Sequence, residues 1–321
     1  VTQALTRHDR VLGCLIGGAV GDALGYQVEF DHWDTIREDF GPGGVTELRS
    51  NHISDDTQMT LFTVEGLLEA APGEAFASVR SAYMRWYATQ QEYLPPGGSR
   101  GLAAEPWLYE RRAPGNACLS GLRAGGGPGV NMDSKGCGTV MRSAPFGLRF
   151  DPDEAYAVAE QCSALTHGHP TAGASAGAFA MIVAHLMNGE TPQRAVSAAM
   201  LHLRHGLHRS ETADALQHAY RLAGSVPPGP NTCASLGEGW VAEEALAIAV
   251  YCFLGTDDVR KGLTASVSHS GDSDSTGAIL GNLYGAAYGH AALPGEWSSQ
   301  VEGRVVMTTL AERLAADPQP A

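Results

Sequence analysis

Two short acidic stretches carry the residue types and spacing that could do chemistry in this sequence. SDDT, residues 54–57, sets Asp55 and Asp56 side by side between two hydroxyls. GDSDST, residues 271–276, sets Asp272 and Asp274 two residues apart among serines and a threonine. A third acidic pair, Asp22 and Glu29, lies in GDALGYQVEF. Carboxylates flanked by hydroxyls are hard oxygen donors of the kind divalent cations prefer. Gathered within a few ångströms, such acids repel one another. They then hold protons, with raised pKa values, or bind cations, and the surrounding hydroxyls favour the cation.

Each stretch also has a plainer reading. Asp and Ser cap helices, and acids suit a helix's first turn. Asp55 with Gln58 fits a capping box. Two adjacent aspartates in a first turn point in different directions, so one can cap while the other faces a site. Other motif readings fail on context. Asp272, Asp274, Thr276 and Gly277 match the start of a calcium loop, but the position that needs a bidentate glutamate is Leu283. An Asp-x-Asp-x-Thr phosphotransferase needs a buried hydrophobic strand before it, and LTASVSHSG is too polar for one. GASAG, residues 173–177, spells Gly-x-Ser-x-Gly inside an alanine-rich helical run with no preceding strand, which excludes a nucleophile elbow. The cysteines at 14, 118, 137, 162, 233 and 252 form no Cys-x-x-Cys pair and have no local histidine context. A reduced compartment fits them best.

The elements that must position these acids read as helices. In HDRVLGCLIGGAVGDALGYQ, apolar residues recur at Val11, Leu15, Ala19 and Ala23. Gly13, Gly17, Gly21 and Gly25 share the same four-residue step, as do Gly277, Gly281, Gly285 and Gly289. A shorter stripe, Gly173 and Gly177, lies in HPTAGASAGAFAMIVAHLM. An interior glycine costs about 1 kcal/mol relative to alanine. The step keeps the glycines on one face, where a neighbouring backbone can come close. Three glycine-striped helices packing together would bring their acidic ends into one place. Further helices are predicted over 56–70, 76–90, 152–166, 190–206, 211–224, 240–254 and 257–270, and a single weak strand over 139–150. The irregular segments 94–138 and 224–239 have the length of functional loops. The pattern predicts a mostly α protein in one domain, residues 1–321, against a length prior of two domains.

Bulk properties exclude some partners. The chain has 321 residues, 44% of them hydrophobic, and a net charge of -14. That charge argues against nucleic-acid backbone or anionic membrane as the main partner, and is compatible with bound cations. VTQALTRHDR lacks the layout of a signal peptide. The apolar run from Val11 to Ala23 is short and interrupted by Asp22, so it reads as a buried helix rather than a membrane span. A cytoplasmic monomer is expected.

GCLIGGAVGDALGYQVEF, SDDT, GCGTVMRSAPFGL, THGHP and GDSDST, in that order along the chain, together resemble the ADP-ribosylglycohydrolase family. LGEGWVAEEALAIAVYCF is similar to a late helix of that family. The resemblance runs from about residue 11 to 290. It implies a single all-α orthogonal bundle, with a core of about residues 8–292, and a binuclear centre of two Mg2+, or Mn2+. Ser54, Asp55 and Asp56 would bind one ion, and Asp272, Asp274 and Ser275 the other, with Asp274 bridging. Ser54 and Ser275 stand where threonine is common, which keeps the hydroxyl. Glu29 matches a glutamate that contacts metal or water in some states; it would join Asp55 and Asp56 as a catalytic residue, moving toward or away from the ions to gate entry. Asp22 reads as structural. His167, more than its neighbour His169, would contact the distal ribose or diphosphate. Gly136, Cys137, Gly138 and Thr139 would let backbone N–H groups approach a diphosphate, and Lys135 would pair with a phosphate or a surface carboxylate. The implied reaction is hydrolysis of the bond between ADP-ribose and a protein side chain, arginine foremost, with Asp55 or Asp56 as general base. Alternatives are a non-catalytic ADP-ribose reader, or a hydrolase of serine-linked, nucleic-acid-linked or O-acyl ADP-ribose.

Overall fold

The computed structural model describes residues 5–204 and 210–317. Its long helices are α1 Arg7–Tyr26, α2 Asp55–Glu69, α3 Ala75–Thr89, α4 Pro152–Ser163, α5 Pro170–Met187, α6 Pro192–Leu203, α7 Ser210–Ala223, α8 Ala242–Gly255, α9 Ser273–Tyr288 and α10 Arg304–Ala316. They form an all-α orthogonal bundle. The helix predicted over 190–206 begins at Pro192 and ends at Leu203, and its last two residues lie outside the described residues, as do 1–4 and 318–321 of the predicted domain. Local chemistry explains several helix starts. Thr6 and Asp9 close a reciprocal capping box on α1. Proline occupies the first turn of α4, α5 and α6, where its missing N–H costs nothing. Buried side chains from the long helices, among them Val11, Phe62, Trp86, Phe179, Tyr251 and Leu283, belong to one continuous core.

Helices α1 and α9 run antiparallel in close contact at the centre. A Cβ added at Gly13 would lie 2.6 Å from the Gly285 carbonyl oxygen. One at Gly17 would overlap the carbonyl of Gly281, and one at Gly21 that of Gly277. The reverse substitutions overlap in the same pairs, so the two stripes are each other's partner. The third stripe corrects the expectation. Gly173 and Gly177 face α4, and the ring of Tyr156 sits where a Gly177 side chain would be. Helix α5 does pack against α9, but with other residues: its glycine stripe is turned toward α4 and takes no part in the central backbone contact.

The strand predicted over 139–150 is absent. Cys137–Thr139 is a 3-10 turn and Ala144–Arg149 a short helix, with Pro145 in its first turn. Among the described residues the only β-type pairing outside named elements is the isolated bridge between Gly136 and Val241. Segment 94–138 contains short helical turns, including Asn116–Arg123. Helix α5 is long and apolar enough to cross a membrane, but 83% of that window is buried inside the protein.

Candidate active site

Three helix ends meet at the site: the C-terminal end of α1 and the N-termini of α2 and α9. Asp22, in the last turn of α1, accepts from the N–H groups of Ser54 (2.9 Å) and Thr57 (3.1 Å) and from the Thr57 hydroxyl. It ties α1 to the start of α2, the structural role expected of it. Burial, which outweighs these hydrogen bonds, pushes its carboxyl up to about 6. At the other seam, the close approach at Gly25 brings the end of α1 against the backbone of Ser273 and Asp274.

The capping box read from Asp55 and Gln58 does not form. Ser54 is the cap, its Oγ accepting from Asp56 N–H at 3.2 Å. Gln58 is buried and accepts from Trp86 Nε1 at 3.0 Å. Both aspartates are thereby released from capping. Asp55 Oδ2 accepts from Gly115 N–H at 3.3 Å, while Asp56 Oδ2 is buried with no hydrogen-bond partner. On α9, Asp272 does both jobs. Its Oδ1 caps the helix through Ser275 N–H (3.3 Å), and its Oδ2 accepts from the Cys137 thiol (2.8 Å). Asp274 Oδ1 accepts from the same Ser275 N–H at 2.9 Å.

These acids surround a cavity of about 280 Å³, close to the lower end of small-molecule sites, roughly 300–1,000 Å³. Glu29, Asp55, Asp56, Asp272, Asp274 and Ser275 line it, and Gly136, Cys137, Gly138 and His167 also contribute to its wall. Segment 94–138 supplies much of the remaining wall, including Gly115 and Cys118. Two expected site residues lie off the wall. Ser54 is fully buried as the α2 cap, and the Thr139 hydroxyl donates to the Ala172 carbonyl at 3.1 Å. The Cys137 N–H, expected to face a phosphate, is taken by the Trp240 carbonyl at 3.1 Å. Lys135 pairs with Glu243 and Glu211. His169 caps α5 through Thr171 N–H.

The electrostatics follow from crowding. Burial, then mutual repulsion, pushes Asp56 and Asp274 well above the usual carboxylate range; burial does the same to Asp55, partly opposed by the Gly115 hydrogen bond. Burial and the charges of Asp272, Asp55 and Asp22 push Glu29 up to about 9. The N-termini of α2 and α9 point their positive ends at the cluster. Among the described residues, no three acids, thiols or imidazoles form a ready-made ligand group; the acids ring a cavity instead. Their chemistry still fits hard divalent cations. The donors are carboxylates and hydroxyls, and the orphaned Asp56 oxygen is the kind of buried polar atom that calls for a bound partner.

Sequence reasoning missed three features. Phe30 and Trp240 stack at the cavity, 5.3 Å between ring centroids, and both are exposed. Arg112 offers its carbonyl to Asp55 N–H at 3.2 Å. Arg142 is fully buried beside His167's neighbour Thr166. None has a local pattern that announces it, although Phe30, Trp240 and Arg142 all stand within the motifs that carry the family resemblance.

The profile described as ADP-ribosylglycohydrolase matches residues 3–321. The chain belongs to the ADP-ribosylglycohydrolase family, glycosidases that act on linkages of ADP-ribose. It is 28% identical over 305 residues to the ADP-ribosyl-[dinitrogen reductase] glycohydrolase of Rhodospirillum rubrum, covering 93% of this chain and 92% of that one. It is 24% identical to the ADP-ribosylarginine hydrolase Tri1 of Serratia proteamaculans, over 95% of this chain and 79% of that one. It is also 24% identical to the ADP-ribosylhydrolase ARH3 of Mus musculus, over 95% and 90%. A solved structure described as an ADP-ribosylglycohydrolase-related protein complex superposes with a TM-score of 0.73 at 27% identity, covering 96% of this chain and 98% of the other.

Proposed function

We propose that this chain hydrolyses the glycosidic bond between ADP-ribose and an arginine side chain of a protein, with two divalent cations, Mg2+ or Mn2+, held in the acidic cavity. The observation that carries this reading is the meeting of Asp55, Asp56, Asp272, Asp274 and Ser275 on one cavity, where Asp56 Oδ2 is buried without a partner. Two relatives whose names specify ADP-ribosylarginine or ADP-ribosylated dinitrogen reductase support the substrate class. Ser54 lies behind the wall, so its contribution to a cation is through the position it gives Asp56.

Bound divalent cations supply Lewis acidity, hold hydroxyls and lower the pKa of a coordinated water. The chain's own residues do the rest. Glycoside cleavage builds positive charge on the sugar ring, and the clustered carboxylates set a negative field that favours it. Asp272 is fixed by Ser275 N–H and the Cys137 thiol, so its oxygens are pre-aimed. Asp55, whose Oδ2 is held by the Gly115 N–H, takes a proton from the attacking water and returns it to the leaving group, which leaves the unpartnered Asp56 oxygen for a cation. Glu29 lines the same cavity as a further proton carrier.

The test is a panel of arginine-linked, serine-linked, nucleic-acid-linked and O-acyl ADP-ribose substrates, with Mg2+, Mn2+ or chelator. Free ADP-ribose should appear fastest from the arginine linkage and cease in chelator. Asp272→Asn separates the two roles of that residue. Asparagine caps a helix as well as aspartate, so helicity and thermal midpoint should hold. Turnover should fall on the order of a hundredfold or more, the upper end of what outer-shell losses alone cost a metal site. No release from any substrate with cation present defeats the proposal, and tight ADP-ribose binding beside zero hydrolysis would make the chain a reader.

A further inference from the structure

Thr166 Oγ1 lies between two buried groups. Arg142 Nη2 is 2.6 Å from it, and His167 Nδ1 is 2.7 Å away on the other side. A guanidinium only donates, so Thr166 accepts there. Its single hydroxyl proton then needs an acceptor. Among the described residues the hydrogen bonds of this oxygen run to no other group, so the proton goes to Nδ1. A neutral imidazole that accepts at Nδ1 carries its own proton on Nε2. Burial and the Arg142 charge keep the ring neutral, holding it down to about 3. The Nε2 edge faces the cavity across two glycines. A Cβ at Gly136 would stand 3.1 Å from Nε2, and one at Gly138 3.2 Å from Cε1. Glycine at both positions leaves that N–H open.

Arg142 itself is unusual. Its other hydrogen bonds run to Met59 Sδ and Cys118 Sγ, both at 3.3 Å, and its guanidinium lies 4.6 Å from the Tyr83 ring centroid. Among the described residues it makes no ion pair with a carboxylate. Burying a cation on those terms is costly, and packing alone gives no reason for it.

We propose that Arg142 and Thr166 are positioning residues that lock His167 as its Nε2–H tautomer, making it a fixed hydrogen-bond donor for a substrate oxygen that can only accept, such as a phosphoryl oxygen. The tautomer stands independently; its use on substrate rests on the function proposed above.

The experiment is two-bond 1H–15N correlation of the full chain carrying 15N-histidine, with His167→Asn to assign the signal. The expected result is an Nε2–H pattern unchanged from about pH 5.5 to 8.5. Thr166→Val, nearly isosteric, should release the tautomer preference and raise KM about tenfold with a smaller change in kcat; Thr166→Ser should restore both. An Nδ1–H pattern in the unaltered protein overturns the proposal without need of any variant. So does a Thr166→Val protein with tautomer and KM unchanged. An Nε2–H pattern in a protein that releases ADP-ribose from nothing supports the lock and defeats only the function.

Discussion

Asp55, Asp56 and Asp274 are pushed upward by burial, and that direction fixes a dependence on pH. Glu29 moves from an ordinary 4.5 to about 9 and Asp22 from 3.8 to about 6. A carboxyl raised in the folded state binds its proton more tightly when folded. The stability it contributes is complete below the unfolded pKa and is lost as pH rises through the folded one. For these two groups the window runs from about 4 to about 9. In chelator, the thermal midpoint should therefore fall steadily from pH 5 to pH 9. Mg2+ should offset the loss at the alkaline end, by about 2.7 kcal/mol at a hundred times its Kd. Parallel pH curves with and without cation would place the cation elsewhere. The acids were legible as residue types. Their division of labour was not, because which of two neighbours caps depends on backbone dihedrals at Ser54 and Asp272 rather than on composition.

Helices α1 and α9 show what a stripe of small residues does and does not disclose. The four-residue step announced a close backbone contact, and the contact exists. The step carried no information about the partner, so the Gly173–Gly177 stripe was assigned to the same centre although it receives the Tyr156 ring of α4. The strand over 139–150 failed for a related reason: weak alternation does not outweigh a proline suited to a helix's first turn. The glycine contact gives a prediction whose sign opposes propensity. Alanine is the better helix former by about 1 kcal/mol. Yet a Cβ at Gly21 would overlap the Gly277 carbonyl, which is backbone and cannot rotate away. Gly21→Ala should destabilise by about 3 kcal/mol in denaturant unfolding, the upper range for overpacking. It should also weaken Mg2+ binding, because the overlap lies between Asp22 and the first turn of α9. Gly224→Ala, where the nearest atoms are at ordinary contact distance, should change little. An unchanged midpoint in Gly21→Ala would mean that the helices have room to separate.

Across the whole molecule, the cavity draws on residues 29, 55–56, 115–118, 136–138, 167, 272 and 274–275, so it exists only when distant parts of the chain are joined. The predicted core ended near 292 and left out α10 and Glu302, because an ion pair across 190 residues leaves no local pattern. Glu302 accepts from both terminal nitrogens of Arg112, with Nη2 to Oε1 at 3.0 Å. Arg112 in turn donates to the Ile53 carbonyl at 3.1 Å and offers its own carbonyl to Asp55 N–H. The Glu302 N–H donates to the Asn51 carbonyl at 3.0 Å. The C-terminal region thus grips residues 51–55 from outside and sets where Asp55 begins α2. Glu302→Gln keeps the shape and removes the charge opposite a guanidinium whose side chain is only 6% exposed. Glu110 still pairs with Arg112, but from a 66% exposed position where the pair is worth little. The substitution should cost about 1–3 kcal/mol, the range for weakening a hydrogen bond to a buried charged group. Calorimetric Mg2+ affinity should drop about tenfold, as when an outer-shell partner is lost. Glu110→Gln should leave both readouts near their starting values. Should Glu302→Gln lose stability while binding Mg2+ as before, the C-terminal region would be a brace for the bundle, with no part in aiming Asp55.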